Sequence, residues 1–181
     1  MRGEHAPASI SKMTIMKIKH MIAVSLLLLT GIRTANAVEW QMKQGPMMTP
    51  WSETLDPENV LGEYPRPQME RQEWMNLNGI WDLRKAIQDE AYSPDFIYDK
   101  KILVPFPLES AISGVMEESD NQCYWYRRTL TIPESMKGKN ILLHFDAVDW
   151  KAIVYVNGKK VGQHTGGYDP FYFDITSALT D

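Results

Sequence analysis

Carboxylates are the reactive groups that this chain holds at closest spacing. Asp146 and Asp149 are separated only by Ala147-Val148, Glu117, Glu118 and Asp120 crowd the stretch VMEESDNQ, and Asp169 sits in the turn HTGGYDPFYFDIT. Two carboxyl groups flanking a glycosidic bond hydrolyse it, one as acid and the other as base or nucleophile. Spacing alone makes no such pair. Acids in short polar runs ordinarily form solvated loops or close strand ends, and the first five read that way. Metal and nucleophile chemistry is thinner still, with no CxxC, HExxH, GxSxG or Walker-type Gly-Lys-Ser/Thr stretch. Beyond residue 37 the only histidines are His144 and His164, and no acid, thiol or metal partner follows from their spacing, so both read as structural or surface residues. Cys123 reads as a packed small residue, with no histidine placed to activate it. Arg127-Arg128 fall on opposite faces of a strand, and an inward Arg needs a carboxylate partner.

Strands must position these groups. In CYWYRRTLTIP, Tyr124, Tyr126, Arg128, Leu130 and Ile132 alternate with Trp125, Arg127, Thr129 and Thr131, a period of two. NILLHFDAV alternates likewise, with Ile141, Leu143 and Phe145 on one side and Leu142, His144 and Asp146 on the other. KAIVYVNGKKVGQH predicts a hairpin turning at Asn157-Gly158, and FYFDI a further strand before a helical turn at 177–179. Upstream, Asn78-Gly79 marks a tight turn into a strand begun by Ile80, Trp81 and Leu83. A polar stretch from Lys85 to Lys100 leads to a short strand, Ile102 to Val104, closed by Pro105 and Pro107. Residues 38–63 have no steady period and read as an extended lead-in, with Trp40 and Trp51 as anchors. Seven short strands and no amphipathic helix of useful length predict an all-β antiparallel sandwich rather than a helical bundle or a doubly wound α/β fold.

The first 37 of the 181 residues read as an address rather than as structure. Lys17, Lys19 and His20 precede the apolar run Met21 to Leu29, and Ala35-Asn36-Ala37 supplies a cleavage pattern, so a secreted or periplasmic location is expected. The apolar run falls short of the roughly 20 residues that span a bilayer. Met16, just ahead of the basic residues, reads as the true start, and nothing functional is expected of the residues before it. Five of the 19 Lys/Arg and one of the 23 Asp/Glu lie in this leader, leaving 14 against 22 and a net charge of −8. So acidic a chain is a poor partner for nucleic acid. One cysteine allows no internal disulfide, so the fold rests on its core.

Four runs in order, YPRPQMERQEWMNLNGIWDL, ILVPFPLESAISGV, CYWYRRTLTIP and LLHFDAVDWKAIVYVNGKKVGQHTGGYDPFYFDIT, resemble the amino-terminal domain of glycoside hydrolase family 2, which includes β-galactosidases, β-glucuronidases and β-mannosidases. The specific elements are Asn76 to Trp81, Trp125 to Arg128, Val156 to Gly158 and Gly166 to Thr176. The resemblance spans roughly Tyr64 to Leu179. It implies a jelly-roll sandwich of the galactose-binding type over 64–181, incomplete at its C-terminal edge and standing before immunoglobulin-like and TIM-barrel domains that this sequence does not include. It also implies retaining hydrolysis of β-glycosides by two glutamates of that barrel. The partners it implies are a carbohydrate substrate and the barrel; no cofactor, metal or catalytic residue of this chain is implied. Asp169 is the nearest match to an acid that some β-galactosidases of the family send into the active site, although the loop here follows the Gly-Gly-Tyr pattern of β-glucuronidase-like members. Cys123 stands where those galactosidases place an asparagine. A free-standing carbohydrate-binding module is the alternative, and an interaction domain docking through an open sheet edge is a third.

Overall fold

The computed structural model describes residues 10–15, 38–46, 48–119 and 122–180. Among the described residues eight strands form two sheets: β1 (Ile10–Ile15), β2 (Gly79–Ala86), β3 (Lys100–Val104), β4 (Cys123–Arg128), β5 (Leu142–Phe145), β6 (Lys151–Val156), β7 (Lys159–Thr165) and β8 (Phe171–Asp174). The larger sheet has the order β3-β2-β4-β1-β6-β7, and β5 pairs with β8 in the smaller. The described helices are single turns, the α-helical one being Pro50–Glu53. The chain is thus the predicted β-sandwich.

Alternation decides where the core sits. Trp81, Leu83, Ile102 and Tyr124 share one face of the large sheet and are covered by Leu108 and Val115. Farther across, Val154 and Val156 meet Leu143 of β5 together with Ile175 and Ala178. The β6–β7 hairpin turns through Asn157 at φ 49° and Gly158 at φ 80°, the left-handed pair that a two-residue turn of matching twist demands.

The other face of the large sheet is covered too. The polar stretch after β2 is a strap. Tyr92, Phe96 and Tyr98 lie on Trp125, Cys123 and Ala86, with Tyr92 stacked 5.1 Å from Tyr155 and Phe96 5.1 Å from Trp125. Glu90 accepts a hydrogen bond from Trp125 Nε1 (2.8 Å) and pairs with Arg84 (3.0 Å). Arg84 and Arg127 lie over the Phe96 and Tyr98 rings at 4.2 and 4.0 Å. Four charges are thereby held close to aromatic surface, each with a partner of opposite sign: Arg84 with Glu90, and Arg127 with Asp82 at 2.9 Å.

Two further outcomes differ from expectation. Trp51 is 78% exposed and anchors nothing, whereas Val60, at 1%, is the apolar anchor of the lead-in. A ring on a single four-residue turn has no sheet to lie on, while Val60 is held through its own carbonyl and the next one: Asn76 Nδ2 donates to Val60 O (2.9 Å) and Leu61 O (3.1 Å). Trp40 does anchor, donating to Ser113 O at 2.8 Å across Gly114. The second difference is β1, which comes from the stretch read as a leader. It fills the middle of the large sheet and runs parallel to both neighbours, whereas every other pairing is antiparallel. The apolar run Met21 to Leu29 and Ala35-Asn36-Ala37 lie outside the described residues.

Candidate functional site

Two loops meet at the end of the sandwich where β5 stops and β8 starts. One is 146–150, which ends in a cis peptide between Asp149 and Trp150; the other is 166–170. Gly166 has φ +132° and donates its N–H to Trp150 O at 2.8 Å, which ties the loops together. Gly167 allows the contact to close, because a Cβ there would stand 2.7 Å from Asp149 Oδ1. The angle at Gly166 excludes an L side chain, and at Gly167 one would have to displace the Asp149 carboxylate.

Asp169 is exposed on this lip, its Oδ2 4.0 Å from where a Cβ on Gly166 would be. His164 Nε2 lies 3.4 Å from the same point and is buried without a hydrogen-bond partner among the described residues. Its ring stacks on Phe171 at 4.2 Å. Each acid adjoins a large exposed ring in the chain, Tyr168 at 94% exposure beside Asp169 and Trp150 at 45% beside Asp149. Among the described residues neither Asp149 nor Asp169 has an ion pair or a hydrogen bond. The lip therefore offers hydrogen-bond acceptors between aromatic faces, which suits a ligand with hydroxyl groups on one side and C–H bonds on the other. Both carboxylates are exposed, so neither sits in the apolar setting that prepares a general acid.

The remaining candidates disperse. Asp146 pairs with Arg66 at 3.3 Å and Glu117 with Lys100 at 2.5 Å; Glu118 is exposed, and Asp120 lies outside the described residues. Cys123 is a buried free thiol. His144 is on the outer face of the small sheet, with its ring 5.3 Å from Tyr172. Arg127 and Arg128 do face opposite ways. Arg127 takes the expected carboxylate, Asp82, but Arg128 donates to the carbonyls of Leu77 (2.7 Å) and Asn78 (2.6 Å). Burial lowers the Arg128 pKa, Glu58 opposes that, and the two carbonyls at the β2 entry turn take the carboxylate's place. No three His, Cys, Asp or Glu side chains among the described residues cluster to hold a metal ion, and no described helix is long and apolar enough to cross a membrane.

Residues 64–181 match the family model described as glycosyl hydrolases family 2, sugar binding domain. The chain belongs to that family. A beta-galactosidase of Thermoanaerobacter pseudethanolicus is 37% identical over 108 residues, which are 58% of this chain and 14% of the relative. A beta-glucuronidase of Paenibacillus borealis is 28% identical over 119 residues, 62% of this chain and 20% of the relative. The chain thus spans a fifth or less of these two relatives. A solved Ruminococcus gnavus β-glucuronidase, in complex with a C6-substituted uronic isofagomine, superposes with a TM-score of 0.52 at 20% identity, over 65% of this chain and 21% of that one, a likeness of fold.

In this family 2 domain the shared motifs turn out to be largely structural. Asn76 holds the lead-in, Trp125 anchors the strap, and Phe173, within the 166–176 motif, packs its ring against Gly162. Sequence reasoning missed Trp150 and Tyr168 as lip residues. Their one sequence signal was position: each adjoins a candidate aspartate, Asp149 or Asp169.

Proposed function

We propose that this chain is the amino-terminal sugar-binding part of a family 2 β-glycosidase resembling β-galactosidases and β-glucuronidases, and that its lip contacts the sugar while a separate barrel supplies the catalytic glutamates. The observation that carries this reading is the lip itself, with Asp149 and Asp169 unpaired between Trp150 and Tyr168. Asp169 accepts hydrogen bonds from the substrate's hydroxyls and contributes no proton transfer. The short span relative to family members supports a longer protein.

Export is part of the proposal, supported by the basic, apolar and small-residue order of the first 37 residues. Intact mass of the protein recovered from cells tests it, cleavage after Ala37, which also removes β1 from the large sheet, being the expected result. For the lip, the test is tryptophan fluorescence during titration with methyl β-galactoside and methyl β-glucuronide, alongside hydrolysis of the 4-nitrophenyl glycosides. We expect a saturable change that Asp169→Ala removes, and no hydrolysis by the chain alone. Hydrolysis by residues 1–181 would overturn the division of labour, and binding indifferent to Asp169→Ala would overturn the lip. Saturable binding in isolation would also be the property of a free-standing carbohydrate-binding module, and reading the frame past codon 181 separates the two: a barrel supports the enzyme, and a stop supports the module.

A further inference from the structure

The outer face of the small sheet carries a second feature, independent of the lip reading. Tyr172 is 61% exposed and Leu142 45%, and His144 beside them is exposed as well, its ring 5.3 Å from that of Tyr172 at a tilt of 35°. Phe171 and Phe173 alternate inward from the same strand, so Tyr172 is left outside by the pleat rather than by a packing fault. An exposed ring pair on a regular strand is a flat apolar surface with polar tips.

Its electrical surroundings run against those of the chain, whose formal net charge is −4. The segment that carries Arg66 and Arg71 runs along β5, held at one end by the Arg66–Asp146 pair and at the other by the Glu73–Lys139 pair, so both guanidinium groups flank His144; the one acid that opposes their effect on it is Asp146. Arg66 is shared with Asp146 at 3.3 Å, but Arg71 is exposed and has no ion pair or hydrogen bond among the described residues. Asp174, the other acid of this face, is turned toward Thr176 N at 2.9 Å. Burial, then Arg66, then Arg71 lower the His144 pKa, so the imidazole is neutral at pH 7 and its face is open to stacking. A free guanidinium next to neutral aromatic surface matches a ring that has C–H faces and a carboxylate on its rim, since a carboxylate takes two parallel N–H bonds from Arg.

We propose that His144, Tyr172 and Arg71 form a surface site for acidic carbohydrate, in which a uronate residue stacks on the Tyr172 ring and presents its carboxylate to Arg71, with Arg66 as the second cation. The probe is tetragalacturonic acid, with its fully methyl-esterified form as the uncharged control. Both are titrated into the 181-residue protein while the His144 and Tyr172 ring resonances are followed by NMR. The expected result is saturable shifts of both rings with the acid, and binding at least about tenfold weaker with the ester. Raising the salt should weaken binding of the acid. Tyr172→Ala should abolish binding, and Arg71→Gln should weaken the acid to the level of the ester. Asp169→Ala, on the lip, should change nothing. Equal binding of acid and ester, the absence of saturable shifts, or binding that survives Tyr172→Ala overturns the site. Binding lost in Asp169→Ala but kept in Tyr172→Ala overturns it as well, by moving the sugar to the lip.

Discussion

Gly162 is the position at which the packing of the sandwich can be tested most sharply. It lies in β7 at ordinary strand angles, and a Cβ built there would stand 2.2 Å from Phe173 Cε1, 2.3 Å from Cδ1 and 2.6 Å from Cζ. Carbon atoms pack best at about 3.5–4.0 Å, so Gly162→Ala requires the Phe173 ring to withdraw by more than about 1 Å. The ring has little room to do so, because it packs on the cluster of Leu143, Val154, Val156 and Ile175 and lies 5.6 Å from Phe171. Overpacking of this kind costs about 1–3 kcal/mol, and the gain from replacing a strand glycine returns about 0.5–1 kcal/mol of it. A net loss of about 1–2 kcal/mol lowers Tm by about 2–8 °C in a domain of this size. Thermal melts followed by circular dichroism read the loss. The decisive comparison uses Phe173→Ala, where the clash has nothing to meet: there Gly162→Ala should be neutral or slightly stabilising. If the two losses simply add, the contact between Gly162 and Phe173 is not what makes glycine necessary, and the reasoning fails.

Other outcomes follow from the same contacts. Glu90→Ala leaves Trp125 Nε1 and Arg84 without their acceptor and should cost about 2–4 kcal/mol in urea unfolding, while Glu90→Gln, which keeps the bond to Trp125, should recover at least half of it. Asn76→Ala releases Val60 and Leu61, so limited proteolysis should cut between residues 55 and 65 several-fold faster with little change in Tm, a local opening worth about 1–2 kcal/mol. Partial burial is the largest cause of the lowered His144 pKa, Arg66 and Arg71 add to it, and Asp146 opposes it. The unfolded chain therefore takes up that proton first as the pH falls. Its contribution to stability is intact above the ordinary value of 6.5, declines below it, and levels off once the folded ring is protonated too. Urea midpoints at pH 7.5 and 5 should thus differ less in His144→Gln than in the parent. Asp174 works in a separate, more acidic window: hydrogen bonds from Thr176 hold its pKa below 3.8, so what it contributes is present above that value and lost beneath it.

Much of the fold was legible because strand alternation is a local property. Each residue of Leu142–Phe145 and Phe171–Asp174 reports its own face, and Asn157-Gly158 can only be a tight turn. The strap was opaque for the opposite reason. Residues 87–99 have no period, and what orders them lies far away in sequence: Glu90 reaches Trp125 across 35 residues, and Tyr92 reaches Tyr155. Composition made the stretch look like a loop, although three aromatics in a polar run were the trace of a buried face. Trp51 misled in the other direction. A large apolar residue in a proline-rich lead-in suggests an anchor, but the anchoring is done by backbone carbonyls that Asn76 grips, and carbonyls carry no sequence signature.

The lip shows how a glycine pattern can be both structural and functional. Gly166 and Gly167 are needed because another loop approaches, with Trp150 O accepting from one and Asp149 lying against the other. That approach is also what brings Asp149 and Asp169 to one edge with Trp150 and Tyr168, since each loop supplies one of these acids and one exposed ring. A residue in place of Gly167 would therefore act first on geometry and only through it on ligand contact. Gly167→Ala should cost binding and stability together, whereas Asp169→Ala should cost binding alone. The ratio of the two effects, measured on the same protein, separates the part of the motif that shapes the lip from the part that uses it.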